Sequence, residues 1–129
     1  MTEQDLEVRV RYNECDPMGV AHHSAYPVWL EIARTDMLRR SGRAYCQLEE
    51  QGIFFVVVHL TVRYLRPARY DDILRVRAAV SSGAVKVEHE YTIHRSDELI
   101  AEALTTLACV DRNGRPQRIP PGVFDQKNS

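Results

Sequence analysis

Residues 11–38 read RYNECDPMGVAHHSAYPVWLEIARTDML. Asn13 and Asp16 lie in a breaker-rich loop with Pro17 and Gly19, and His22, His23 and Ser24 follow where a helical pattern begins. The first turn of an α-helix leaves backbone N–H groups without intrahelical partners, and the helix dipole favours negative charge beside them. Such donors hold a phosphate, or a carbonyl oxygen as it gains charge during an addition. Asp16 stands seven residues ahead of His23, with Gly19 between them to let backbone come close. A carboxylate and an oxyanion-binding N–H can then face one electrophilic carbon. That is a hydrolase arrangement without serine or metal. The competing reading is structural: Asn13 and Asp16 bond within a turn that Pro17 and Gly19 shape.

Other reactive side chains point to less. The His22–His23 pair has no third ligand at metal spacing, so no metal site is expected. Either ring is a candidate for orienting Asp16 or a water. His59, His89 and His94 fall in strand-like segments. Of these His59 is a candidate for the pocket, against the plainer reading of a satisfied strand histidine. Cys15 adjoins Asp16 and invites a nucleophile reading, but no base stands at a supporting position, which favours a small buried thiol. Trp29 lies on an apolar helix stripe and reads as core or pocket wall.

The positioning elements follow from periodicity. In LEVRVRY, residues 6–12, Leu6, Val8, Val10 and Tyr12 share one face of a half-buried strand. From Ser24 the period becomes helical, with Tyr26, Trp29, Leu30, Ala33 and Met37 on one face. Ser24 suits the cap, Pro27 the first turn and Gly42 the end. Residues 44–51 suggest a helical turn. Strand patterns then occupy 53–64, 73–80, 85–93 and 99–110, and the links SSG and RSDE predict antiparallel hairpins. Val85, Val87, His89, Tyr91 and Ile93 should face one way. DRNGRP is a turn, and IPPGVFDQKNS reads as a frayed, peripheral tail. The result is an α+β domain in which one long helix covers one face of an antiparallel sheet. The sheet's other face is left open and in parts only moderately polar, and a partner subunit is one way to cover it.

A chain of 129 residues fits a single domain over residues 1–129. With 44% apolar residues and a formal charge of −1, it advertises neither a nucleic-acid nor a membrane partner. The longest apolar run, IFFVVV, is too short to span a bilayer. Three widely spaced cysteines, Cys15, Cys46 and Cys109, and a charged, alternating N-terminal stretch unlike a signal peptide predict a reduced, cytoplasmic protein.

The segment YNECDPMGVAHHSAYPVWLEIAR resembles the active-site signature of the hotdog-fold acyl-CoA thioesterases, in the group that includes 4-hydroxybenzoyl-CoA thioesterase and the small Tol–Pal-associated thioesterase. VRYLRPARYDDILRV, residues 62–76, resembles a second motif of that family, and the likeness covers about residues 5–112. It implies a long central helix wrapped by a curved antiparallel sheet of about five strands, in dimers that pair into homotetramers. It implies hydrolysis of an acyl-CoA thioester to a free acid and coenzyme A, with no cofactor. Asp16 falls on the family's catalytic aspartate, as nucleophile or general base. The backbone N–H of His23 falls on the donor that polarises the thioester carbonyl, and Gly19 on the glycine that shapes the loop. Tyr26 matches a position lining the pocket or the helix face, and Glu31 with Arg34 a structural stretch. Cys15 stands where threonine or cysteine is common, and His22 where tyrosine or tryptophan is common, a change that bears on the acyl pocket. Tyr26, His22, His59, Arg63 and Arg66 are the candidates for substrate contact. Arg69, Arg75 and Lys86 join Arg63 and Arg66 as candidates for the coenzyme A phosphates. The alternatives are a non-catalytic acyl-CoA-binding module, which would be expected to lack the acid, and a dehydratase, whose histidine–acid pair the DPMG loop does not resemble. Short aliphatic, hydroxybenzoyl and naphthoyl groups all occur in proteins of this resemblance, and the aromatic residues here (Tyr12, Tyr26, Trp29, Phe54, Phe55, Tyr64) do not choose among them, because they can be core as easily as pocket.

Overall fold

Period-two alternation and short turns make three long strands out of the second half of the chain, a β-branched and aromatic run makes a fourth, and one helix with an apolar stripe supplies their cover. The computed structural model describes residues 2–124. In chain order these form β1 (Thr2–Arg9), a single 3-10 turn (Tyr12–Glu14), α1 (Ala25–Arg40), α2 (Tyr45–Glu50), β2 (Phe54–Tyr64), β3 (Ile73–Ser82), β4 (Lys86–Arg95) and β5 (Glu98–Val110). The strands build one sheet in the order β1-β3-β4-β5-β2, with every neighbouring pair antiparallel.

The sheet's inner face carries Leu74, Val76, Ala78 and Val80 from β3, Val87, His89, Tyr91 and Ile93 from β4, and Ala101, Ala103, Thr105 and Leu107 from β5, all buried. Against it α1 lays Tyr26, Trp29, Leu30, Ala33, Met37 and Leu38. Trp29 and Leu30 are fully enclosed, and burying each such side chain contributes roughly 1.5–3 kcal/mol. This is the helix-in-sheet hotdog architecture that the resemblance implies. The outer face is laced with ion pairs, among them Arg77 to Asp5 at 2.8 Å and Arg63 to Glu102 at 3.6 Å. Among the described residues, no helix is long and apolar enough to cross a membrane.

Three local expectations are corrected. The first strand ends at Arg9, and Tyr12 does not share its buried face. Val10 N–H instead donates to the Asp72 carbonyl and Asp71 N–H to the Val10 carbonyl, which turns the chain out of the sheet. Tyr12 is left 80% exposed in the 3-10 turn, edge-on to Tyr70. Ser24 occupies the cap position of α1 but makes no side-chain cap bond, because its hydroxyl lies 2.8 Å from His22 Nδ1. The segment read as a frayed, peripheral tail closes the core as far as Phe124. Ile119 N–H donates to the Ala84 carbonyl, the Gln117 side chain to the carbonyls of Gly52 and Val110, and Val123 and Phe124 are buried. Phe124 packs edge-on against Phe55 and His89. The remainder of the expected tail, residues 125–129, lies outside the described residues.

The strand β2 ends the sheet. Val56, Val57, Val58 and Leu60 along it are each more than 40% exposed, and a bulge between Val57 and His59 interrupts its register with β5. A row of exposed apolar residues on an unpaired strand edge is a template for association.

Candidate active site

The loop ahead of α1 is tied by its own backbone. Asp16 N–H donates to the Val20 carbonyl and Gly19 N–H to the Asp16 carbonyl, both at 2.9 Å. This tight turn needs a left-handed residue, and Gly19 supplies it at φ +79°. The loop is stitched to the residues that follow β2, with Ala21 N–H donating to Ala68 and Tyr70 N–H to Gly19. Within it the Asp16 carboxylate is partly exposed. Its Oδ1 accepts the N–H groups of Met18 at 2.9 Å and Val20 at 3.2 Å. Among the described residues no hydrogen bond engages Oδ2. One carboxylate oxygen thus serves the turn, as the structural reading of Asp16 expects, and leaves the other without a partner among the described residues. Beside it, burial first and then the Asp16 charge push the Cys15 thiol above its ordinary range. Cys15 is half-buried, with its Sγ directed at the Arg11 carbonyl at 3.6 Å. That is a poor thiolate nucleophile.

The helix start leaves the His23 donor open. His22 N–H donates to the Glu14 carbonyl at 2.7 Å, and the His22 carbonyl accepts Ala25 N–H at 3.0 Å. Ser24 N–H donates to His22 Nδ1 at 3.2 Å. The N–H between them, that of His23, meets no acceptor among the described residues. His22 therefore spends its Nδ1 on shaping the helix start, and its ring lies 4.1 Å from that of His23.

His23, Tyr26, Tyr64, Leu65, Arg66 and Pro67 line an open cleft of about 290 Å³, with Val20 and Ala21 of the loop as its other wall. The Val20 that anchors Asp16 thus shares this cleft with His23. Tyr26 is buried, and burial pushes its hydroxyl above the ordinary tyrosine range while the Ala68 backbone partly offsets this. Of the expected site residues His23, Tyr26 and Arg66 line this cleft; Asp16, Gly19 and His22 do not, and Asp16 is tied to it through the Val20 N–H that its carboxylate accepts. Arg66 is the guanidinium of the cleft; it donates to the Leu99 carbonyl at 3.1 Å and lies 3.8 Å from Glu98. Arg63 and Arg75 pair on the outer sheet face with Glu102 and Asp5. Lys86 begins β4, Arg69 is exposed on the loop after β2, and His59 is exposed at the β2 bulge. None of these lines the cleft within one chain.

Two residues important to the geometry were not singled out for it by the sequence. Glu14 is buried, and its carboxylate accepts the Trp29 indole N–H at 3.0 Å and the Arg11 backbone N–H at 2.8 Å. Tyr64 donates its hydroxyl to the His23 carbonyl at 3.1 Å. The signal for Glu14 was an acid in the loop beside an otherwise apolar stripe, and the signal for Tyr64 its place in the second motif. The Glu31–Arg34 stretch is split, with Glu31 exposed and Arg34 buried against Tyr45, His89 and Tyr91.

A sequence profile described as the thioesterase-like superfamily matches residues 10–126. The acyl-CoA thioester hydrolase YbgC of Escherichia coli is 34% identical over 119 residues, spanning 90% of this chain and 89% of its own. The acyl-CoA thioesterase YbgC of Haemophilus influenzae is 37% identical, spanning 81% and 78%. The solved structure of DHNA-CoA thioesterase from Staphylococcus aureus superposes with a TM-score of 0.87 at 31% identity, covering 92% of this chain and 81% of that one. The chain belongs to the hotdog-fold acyl-CoA thioesterases, a family of thioester hydrolases.

Proposed function

We propose that this thioesterase hydrolyses acyl-coenzyme A at the cleft before α1, with Asp16 acting on the thioester carbon and the His23 N–H holding its oxygen. The observation that carries the reading is that, in one short stretch of chain, one Asp16 carboxylate oxygen and the His23 N–H are both without a hydrogen-bond partner among the described residues, while the other Asp16 oxygen is anchored by Met18 and Val20. Donors held in place before reaction need no reorganisation as charge develops, and one of them is worth roughly 3–4 kcal/mol of transition-state stabilisation.

Two routes fit. In the first, Asp16 Oδ2 bonds to the carbonyl carbon, the thiolate leaves with the C–S electron pair, and water hydrolyses the acyl anhydride. In the second, Asp16 takes a proton from water as the water oxygen adds to the carbon. The proton then balances the departing thiolate. In both, the oxygen gains its negative charge facing the His23 N–H. Arg66 at the cleft is the candidate for a coenzyme A phosphate, and Tyr26 forms the wall beside the acyl group. His22 acts by shaping the helix start. Arg63 and His59 contact substrate only if it extends across the subunit boundary.

The proposed assembly is a homodimer through β2, two of which form a tetramer. The exposed Val56, Val57, Val58 and Leu60 on an edge strand support the first step. A cytoplasmic location fits three cysteines of which none is bonded to another. Thiol release from acyl-CoA esters tests the function, with acetyl, palmitoyl, benzoyl, hydroxybenzoyl and dihydroxynaphthoyl groups compared. Turnover of at least one ester is expected. Coenzyme A binding without turnover of any ester would contradict the reading and favour a binding module.

A further inference from the structure

The His23 N–H is aimed by contacts on both sides of the residue. Before it, the His22 carbonyl accepts Ala25 N–H at 3.0 Å, which fixes the plane of the peptide that carries the donor. After it, the His23–Ser24 peptide is gripped at both ends: Ser24 N–H reaches His22 Nδ1 at 3.2 Å, and the His23 carbonyl accepts the Tyr64 hydroxyl at 3.1 Å. The Ala25 and His22 contacts come from the same short stretch of chain as the donor. Tyr64 comes from the sheet, at the end of β2 and 41 residues away. Its ring stands edge-on to Tyr26 with centroids 4.8 Å apart, so the hydroxyl has a packed support even though the side chain is partly open to the cleft.

We propose that Tyr64 is a positioning residue for the oxyanion donor: through the His23 carbonyl it holds the backbone on which the His23 N–H depends. Two consequences follow from the geometry. Rotation about the His23 backbone would swing the N–H off the line to the thioester oxygen, and the Tyr64 bond opposes that rotation. The His23 carbonyl is also a negative dipole end at the same cleft, and the Tyr64 O–H covers it where an oxyanion would otherwise meet it. The inference rests on the reading that the His23 N–H holds the thioester oxygen.

Tyr64→Phe removes one hydroxyl and keeps the ring against Tyr26. With benzoyl-coenzyme A, kcat is expected to fall about tenfold with KM little changed, short of the hundredfold that a misplacement of about 1 Å can cost. The decisive readout is the infrared stretch of the carbon-13-labelled benzoyl carbonyl bound to Asp16→Asn and to Asp16→Asn/Tyr64→Phe. The stretch should move to lower frequency on binding to Asp16→Asn, and that displacement should shrink in the double variant. An equal displacement in both overturns the role of Tyr64 whatever kcat does, since a loss of packing alone would not move the carbonyl. No displacement in Asp16→Asn itself overturns the His23 reading beneath it, and the Tyr64 proposal with it.

Discussion

The Glu14 carboxylate accepts the Trp29 indole N–H at 3.0 Å, and both groups are buried. One residue thereby ties three parts of the site together. Its side chain also receives the Arg11 N–H, and its carbonyl receives the His22 N–H next to the proposed oxyanion donor. Glu14→Ala leaves the buried indole N–H without an acceptor, which costs about 1–3 kcal/mol for that donor alone. Glu14→Gln keeps an acceptor oxygen and should lose less. Urea unfolding of both variants checks the order, and equal stability of Glu14→Ala and the parent protein would contradict it.

Gly19 should resist substitution through its backbone rather than its surroundings. A methyl group there meets nothing within 4 Å, but φ is +79°. The left-handed region costs a non-glycine residue roughly 1–2 kcal/mol. Gly19→Ala is therefore expected to lose about that much stability and to lower kcat, because the Asp16–Gly19 turn that sets the carboxylate must relax. A Gly19→Ala variant with unchanged kcat and unchanged melting temperature would contradict this.

His89 makes stability depend on pH. It is buried on β4, stacked on Tyr91 and edge-on to Phe124, with Arg34 facing it from α1. Its Nδ1 has no partner among the described residues. Burial first, then the Arg34 charge, lower its pKa from 6.5 to about 4. Between those two values the unfolded chain takes up a proton that the folded chain refuses. The neutral-His89 contribution is thus complete above pH 6.5 and is lost as pH falls toward 4, to a total of about 3 kcal/mol. Urea midpoints measured across this range should fall with pH more steeply in the parent than in His89→Gln. Parallel slopes would contradict the assignment.

The β2 edge offers a test of assembly. Val57 is 47% exposed in one chain, on the strand that ends the sheet. A lysine there would place a charge in a strand-to-strand seam. Under the proposed assembly, Val57→Lys is expected to sediment as a smaller species than the parent and to melt at a lower temperature. A Val57→Lys protein with the parent's assembly state would move the β2 seam elsewhere.

The sheet was legible where burial alternates along a strand. Val87, His89, Tyr91 and Ile93 face the core as their period-two spacing requires. Tyr12 was misread because the end of β1 is decided by the Asp71–Asp72 turn, a partner remote in sequence. Val123 and Phe124 were misread because two isolated apolar residues among prolines and a glycine carry no period. Asp16, Gly19 and His23 stood out because they lie in one short stretch. The Tyr64–His23 bond was not legible, since nothing local in either segment says that the end of β2 meets the start of α1. Nor was the Glu14–Trp29 bond, which depends on the loop folding back under the helix.

The most direct test of the account is thiol release by Asp16→Asn on the best ester of the panel, measured beside equilibrium binding of that ester. The substitution keeps the size of the side chain and an acceptor for Met18 and Val20, and removes the anion. Loss of kcat by at least about a hundredfold, with the ester still bound within a few-fold of the parent, is the predicted result. Turnover that survives the substitution unchanged would contradict it and place the chemistry away from Asp16.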